Sequence, residues 1–430
     1  MNNKIFLYIF YVFLFISILT FSYLVFSQLP PKNISVSILL YSTGKLAGLI
    51  GFLFLSLLII SGDSARFFDR FFGIDKIIKF QRKFAMITTV FVIFHPLFFI
   101  LSTGNYFIYL IPTFTFIPLS LGIISFYIFV VVMICSRLYK KISYQVWQYI
   151  HILTYILFFL SIYHAFNIGS DTKNFFVKII FSFLFAGIII GGIYRTYYKI
   201  KHKKFKYYVE EINFETKNVF TLKLKPNHKL NFKPGQFCFL RINKNKLYSR
   251  HPFTISSSPN EKTINFTMKI TGGFTKTASQ LKKGEEVIVD GPFGVFTITD
   301  DKKDLVFIAG GVGITPFMSM IKHNLYSNKK QNITLIYGAR TKKDIIFKNT
   351  LDKIKEKWFK KVYVLSDEKS FSKNWKNGYI DTEIIKNNVD NLKNSLFYIC
   401  GPEPMKENIT KILKDLGVKK SNIKIESFFW

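Results

Sequence analysis

The hydrophobic pattern divides the chain into two halves of different period. Through the first 200 positions apolar residues run in near-continuous blocks, over roughly 4–27, 37–61, 83–103, 116–136, 146–168 and 174–196. Each block is long enough to predict a helix that crosses a bilayer. The first is too long for a signal peptide, and no small-residue cleavage site follows it, so it reads as a retained helix. From about 206 the pattern shortens to "VFTLKLKP", "FCFLRI", "TINFTMKI" and "EEVIVDGPFG", punctuated by Pro and Gly. Alternation of that kind predicts a small antiparallel β-barrel over 206–299. Beyond it, "DLVFIAGG", "NITLIYGA", "KVYVLS" and "SLFYICG" are apolar strands separated by amphipathic helical stretches. They predict an α/β domain with a parallel sheet over 303–430. The expected architecture is therefore a multi-domain membrane protein: a six-helix transmembrane bundle over 1–200, then the barrel, then the α/β domain.

Charge orients this arrangement. Lys and Arg number 59 against 26 Asp and Glu, a net charge of +33. Much of the excess flanks the apolar blocks and the rest is scattered through the second half, the distribution of cytoplasmic loops and solvated faces rather than of a nucleic-acid interface. Arg66, Arg70, Lys76, Lys79, Arg82 and Lys83 separate the second and third blocks, and Arg137, Lys140 and Lys141 follow the fourth. The opposite loops hold little beyond Lys32 and Lys173. By the positive-inside rule both termini and the second half are cytoplasmic. Cys135, Cys238 and Cys400 are far apart and show neither disulfide nor zinc spacing.

Imidazole is costly in hydrocarbon, so a histidine inside a span normally faces a partner, a cavity or a metal. His95, His151 and His164 are so placed, and Gln81 stands where a fourth would complete two pairs. Gln81 and His95 are 14 positions apart and His151 and His164 are 13. Either interval is roughly 20 Å of helix, and on an ideal helix 14 positions return to within about 40° of one face whereas 13 land about 140° away. The fifth span would need tightening, bending or different ring angles to present both of its histidines to haem, and Pro96 can kink the third. Lys45, inside the second span, is expensive unless it pairs, snorkels to the surface or neutralises a cofactor carboxylate.

The cytoplasmic half carries the more specific signals: "RHPFTISSSP" from Arg250 to Pro259, "GGVGITPF" from Gly310 to Phe317, "CGPEPM" from Cys400, and an aromatic C-terminus. Together these resemble the ferredoxin-reductase-type flavoprotein module. With six spans in front, the chain resembles the NADPH oxidase/ferric reductase transmembrane family, in a compact form like the bacterial oxidases. The resemblance implies FAD, NADPH and haem b as cofactors, with one or two haems. It places the FAD site at His251, Pro252, Phe253 and Thr254, with His251 toward the pyrophosphate or ribityl chain, Phe253 on the isoalloxazine and Thr254 reaching N5. Gly272, Gly273 and Thr275 precede a helical run whose first N–H groups suit phosphate. NADPH falls to Gly310, Gly311, Gly313, Thr315 and Pro316 after a strand, and to Cys400, Gly401 and Pro402 near the nicotinamide. Cys400 is expected to pack and position rather than attack. Basic and hydroxyl groups at Arg340 and Thr341, followed by Lys342 and Lys343, suit a ribose 2′-phosphate, and Trp430 would lid the flavin.

By the same resemblance His95 and His164 hold an outer haem, while an inner haem would take His151 and position 81. Gln81 departs from the family's histidine there. That leaves a five-coordinate inner haem on His151, a weak Gln81 ligand, or no inner haem. The implied activity is transfer of a hydride from NADPH to FAD, then of single electrons through haem to an extracytoplasmic acceptor. Short outer loops favour O2, giving superoxide, over a ferric chelate. A conduit to an extracytoplasmic redox partner and a cytoplasmic flavin reductase on a haem-free anchor are the other readings. The expected location is a bacterial plasma membrane.

Overall fold

The computed structural model describes residues 3–139, 141–142, 144–202, 206–227, 230–242, 250–298, 303–328, 330–369 and 375–426. The chain forms two compact units, Met1–Lys199 and Ile200–Trp430.

The first unit is all helix: α1 (Asn3–Phe26), α2 (Val36–Asp63), α3 (Ala65–Phe72), α4 (Ile74–Thr103), α5 (Tyr106–Leu110), α6 (Ile117–Arg137), α7 (Tyr144–Ile168) and α8 (Phe175–His202). Six of these are long and apolar enough to cross a membrane. Helix α2 is the most buried of the six and runs along α1 and α4, while α6 runs along α7. Phe21, Leu53, Phe158, Phe181 and Leu184 form the centre of the core. Tyr8, Phe15, Tyr23, Phe175 and Ile190 project outward, as side chains against lipid do.

The third span starts earlier than the apolar block at 83–103. Helix α4 begins at Ile74, whose N–H is accepted by Asp69 Oδ1 at 2.8 Å, and continues through Pro96 to Thr103. Its first turns are rich in Lys, Arg and Gln, which are good helix formers and lay aliphatic stems along apolar surface. Gln81 and His95 therefore share one helix. Helix α7 is likewise continuous, and on an ideal helix the 13-residue interval turns His151 and His164 to different faces.

The second unit holds two sheets. Strands β1 (Lys206–Thr216), β2 (Val219–Pro226), β3 (Phe237–Ile242), β4 (His251–Thr254), β5 (Ile264–Lys269) and β6 (Glu286–Phe293), with helix α9 (Gly273–Ala278), form an antiparallel sheet ordered β4-β3-β6-β1-β2-β5. The expected barrel is not closed by a full ladder. Its end strands meet only at one bridge, Ile255 to Phe266, because β4 is just four residues long. The parallel sheet comprises β7 (Leu305–Gly310), β8 (Ile333–Ala339), β9 (Phe359–Leu365), β10 (Trp375–Asn377), β11 (Leu396–Cys400) and β12 (Ile423–Ile425). Helices α10 (Thr315–Tyr326), α11 (Lys348–Lys353), α12 (Thr382–Asn388) and α13 (Glu403–Asp415) intervene along the chain. The order β10-β9-β8-β7-β11-β12 reverses between β7 and β11. Parallel sheets bind ligands at the carboxyl ends of strands at such a switch point.

The two sheets belong to one packed body. Phe296 lies 6.0 Å from Phe317 and 5.3 Å from Tyr398, and Ser319 Oγ donates to the Ser257 carbonyl at 2.6 Å.

Candidate functional site

In the membrane unit, α4 and α7 bring His95 and His164 together. Their ring centroids are 6.2 Å apart and the rings are nearly perpendicular, at 84°. Each ring is held from behind by a main-chain carbonyl: His95 Nδ1 lies 2.8 Å from Gly44 O on α2, and His164 Nδ1 lies 3.0 Å from Pro118 O on α6. A carbonyl can only accept, so both Nδ1 atoms carry the proton and both Nε2 lone pairs are available to a metal. One helical turn beyond each carbonyl stands a glycine. A Cβ on Gly48 would come within 2.6 Å of His95 Nδ1, and one on Gly122 within 2.3 Å of His164 Nδ1. Real side chains cannot sit at those distances. The two glycines are notches that let each imidazole lie against a neighbouring helix backbone.

The spacing of the pair would suit two imidazoles that share one metal ion. Metal–imidazole bonds of about 2 Å, with ring radii of roughly 1.1 Å added, put centroids about 6 Å apart. Among the described residues no group of three or more His, Cys, Asp or Glu converges as a metal site. Two imidazoles alone suit a metal whose other ligands arrive with it, and a haem iron asks the protein for axial ligands only.

Gln81 and His151 each meet a different partner. Gln81 Nε2 donates to Ser61 Oγ on α2 at 3.2 Å. The His151 ring lies parallel to Trp147, with centroids 4.8 Å apart at 16°. The donor set at this level does not reproduce the outer geometry.

Two polar clusters tie the bundle together. Lys45 neither snorkels nor stays available to a cofactor carboxylate: its ammonium is 2.9 Å from Asp171 Oδ2 and donates to Gln28 Oε1 at 3.0 Å, while Gln28 Nε2 donates to Asp171 Oδ1 at 2.8 Å. Such closure is what makes a buried cation tolerable. At the end of α2, Asp63 Oδ1 accepts from Tyr155 at 2.5 Å and from Arg195 at 2.9 Å.

In the second unit, "HPFT" forms β4, pinned to β3 by pairs from Phe237–Thr254 to Leu240–His251. Alternation along the strand puts His251 and Phe253 on one face, and both meet Phe274 of α9, at 4.3 and 5.5 Å between centroids. Burial holds the His251 imidazole below its ordinary range, hence neutral at pH 7. Thr254 is buried at the end of the strand, and Pro252 pairs with Phe239. Arg250 stacks over Phe239 at 4.5 Å and reaches Asp290 at 3.4 Å.

At the expected phosphate turn, Gly272 caps a helix that begins at Gly273. Thr275 Oγ1 accepts from the N–H groups of Thr271 and Gly272 at 3.0 and 3.2 Å, so those donors are already engaged. The helix that follows has six residues. Among the described residues, no atom beyond the adjoining chain lies within 4 Å of a notional Cβ at either glycine, which leaves room for a ligand's approach.

At the switch point, β7 ends at Gly310, a 3₁₀ turn spans Gly311–Ile314, and α10 follows with Pro316 in its first turn. Thr315 is buried and its hydroxyl donates to Val312 O at 2.8 Å. A Cβ on Gly313 would lie 2.3 Å from the Cys400 carbonyl, and one on Gly401 within 3.1 Å of Gly310 N. The loops after β7 and β11 thus pack backbone against backbone, and Gly311 adopts φ +54° on the open side. Pro402 caps α13. Cys400 is fully buried, which pushes its thiol well above the usual range and leaves it un-ionised, a packing residue rather than a nucleophile. Arg340 and Thr341 stand at the end of β8, with the Thr341 hydroxyl bonded to Asp344 at 2.8 Å. Trp430 lies outside the described residues.

Comparison with known families accounts for both units. Residues 47–162 match the family described as "Ferric reductase like transmembrane component", 203–337 the FAD-binding domain, and 307–411 the oxidoreductase NAD-binding domain. The chain has the NADPH oxidase/ferric reductase-like architecture. A ferric reductase-like membrane part is thus followed by an FAD-binding and an NAD-binding domain. Curated relatives include the F component of the Na(+)-translocating NADH-quinone reductase of Neisseria meningitidis, 36% identical over 156 residues, and that of Yersinia enterocolitica, 34% identical. Each match covers 34% of this chain and 38% of the relative, so the chain spans about two fifths of their length. Similar solved structures include the FAD/NAD-binding domain of a Vibrio cholerae nitric oxide dioxygenase (23% identity, TM-score 0.48, 52% of this chain and 98% of that one). Another is a Neisseria gonorrhoeae ferredoxin NADP+ reductase (22%, 0.48, 53% and 99%).

Within this ferric reductase-like chain, several contributors escape a reading of its sequence. Gly48 and Gly122 are recognisable only once helix pairing is known. Asp63 and Arg195, charged residues inside apolar helices, carried a signal that was legible. Phe274 had none beyond its place beside Gly273.

Proposed function

We propose that the chain carries electrons from a cytoplasmic nicotinamide dinucleotide through FAD and a haem b held between His95 and His164 to O2 on the far side of the membrane, giving superoxide. The observation that carries this reading is the His95–His164 pair, at axial-ligand separation with both Nδ1 atoms bonded to carbonyls. Bound haem would supply a one-electron carrier inside the bilayer. The protein's part is to fix both rings through Gly44 O and Pro118 O, which sets the tautomer and makes each imidazole a stronger donor. The proposal assigns no second haem to Gln81 and His151, whose contacts are the Ser61 hydroxyl and the Trp147 ring.

In the cytoplasmic unit Phe253 would pack on the flavin ring, Thr254 would hydrogen-bond near N5, and neutral His251 would contact the ribityl or pyrophosphate chain. Gly310, Gly311 and Gly313 would let the dinucleotide's pyrophosphate approach the start of α10, where helix N–H groups favour its charge. Cys400, Gly401 and Pro402 would border the nicotinamide. The basic residues of α3 and the first turns of α4 support a cytoplasmic placement of that side, in a bacterial plasma membrane.

Short outer connections favour a small acceptor. In sealed vesicles with the dinucleotide on the cytoplasmic face, dismutase-sensitive cytochrome c reduction on the other is the expected result. Dismutase-insensitive reduction of a ferric chelate would replace O2 by iron. Activity only with an added redox protein would make the chain a conduit.

A further inference from the structure

We infer that the dinucleotide site selects NADH over NADPH, with Asp367 and Glu368 excluding a 2′-phosphate. The inference rests on the proposed nicotinamide-to-flavin reaction and reverses the preference expected from Arg340 to Lys343 in the sequence. With the pyrophosphate at the end of β7 and the nicotinamide toward β11, the adenosine ribose falls on the other side, over the ends of β8 and β9.

Those ends are rimmed by carboxylates. The β8–β9 ladder pairs Ala339 with Leu365, and two more main-chain bonds extend it, Ser366 N to Ala339 O at 3.1 Å and Asp367 N to Arg340 O at 3.0 Å. Asp367 is thereby fixed beside Arg340, and its carboxylate accepts from Ser366 Oγ at 2.5 Å. Glu368 accepts from Lys342 N at 2.8 Å and lies 3.7 Å from the Lys342 ammonium. Asp344 takes both the N–H and the hydroxyl of Thr341, at 3.2 and 2.8 Å. The hydroxyl, the amide N–H groups and the ammonium that a 2′-phosphate would recruit from residues 341 and 342 thus already serve carboxylates. Arg340 and Lys343 remain exposed at the same rim. A phosphate dianion arriving there would meet Asp367 and Glu368 at close range, whereas a ribose diol is a donor that carboxylates accept.

The test is anaerobic stopped-flow reduction of the flavin in the full-length, flavin-loaded protein, which reads the first step without any acceptor. NADH should reduce it with a second-order rate constant about 10- to 100-fold above that of NADPH. The double variant D367R/E368Q should shrink that ratio at least about tenfold, the equivalent of one unfavourable charge contact. As a check that needs no variant, 5′-AMP should compete with NADH more strongly than 2′-AMP. Equal or faster reduction by NADPH, an unchanged ratio in the variant, or stronger competition by 2′-AMP would each overturn the inference and leave the flavin reductase reading standing. Reduction by neither dinucleotide would sink both.

Discussion

The membrane unit and the second unit would each hold a large cofactor under the proposed function, and they offer opposite parts of the chain for it. In the membrane every backbone group is consumed by its own helix, because hydrocarbon offers no other partner. What remains for a site is side chains, together with the second lone pair of a helical carbonyl. Gly44 O and Pro118 O are used in that way to aim His95 and His164. In the second unit the parallel strands end in loops at their carboxyl ends, where glycines let two of them meet at Gly313 and Cys400. A membrane site of this kind depends on a few side chains and on the space beside them. A strand-end site depends on loop shape, and its individual side chains matter mainly for selectivity.

The sharpest break in that contrast would come from the histidines. H95A or H164A should remove the low-spin haem while flavin stays bound, as read by the haem-to-flavin ratio; retention of a bis-imidazole spectrum in either variant would show that the ligands lie elsewhere. Next come the notches. G48L and G122L should each cut haem content by more than half, and G122A should lower it or shift its potential, because the Cβ would collide with Nδ1. Gly192, whose notional Cβ meets none of the described residues within 4 Å beyond its own helix turn, is the control, and G192A should leave the haem band unchanged. In the second unit, G313A should weaken dinucleotide binding by about 1–3 kcal/mol, the range for an overpacked contact, while haem and flavin contents hold. Titration of NADH-dependent flavin reduction would show it. The smallest effect belongs to Cys400, whose buried, un-ionised thiol should resist iodoacetamide at neutral pH in the folded protein and react only after denaturation. Peptide mapping that found it alkylated in the native state would contradict its packing role.

Much of the fold was legible in the sequence, and the gaps have physical causes. Apolar blocks announced six helices, yet hydropathy alone put the start of the third at 83, since a helix can run on through Lys and Arg beyond the hydrocarbon. The 13-residue interval in α7 already implied that His151 and His164 cannot face one way on a straight helix, and the unbroken α7 keeps the two rings on different faces. Lys45 could not be resolved from sequence, because its partners Gln28 and Asp171 lie 17 and 126 positions away. The strand, glycine turn and helix at Gly310 to Pro316 were legible because they are contiguous. The surroundings of Arg340 to Lys343 were not, because the answering carboxylates Asp367 and Glu368 arrive from the next strand.

One measurement bears most directly on electron flow through a paired-histidine haem: electron paramagnetic resonance of the full-length protein before and after anaerobic NADH. The 84° between the rings predicts a low-spin ferric signal of the large-gmax type given by near-perpendicular axial imidazoles, which should vanish as the flavin bleaches. A high-spin signal, no haem signal at all, or a ferric signal that persists beside fully reduced flavin would contradict it.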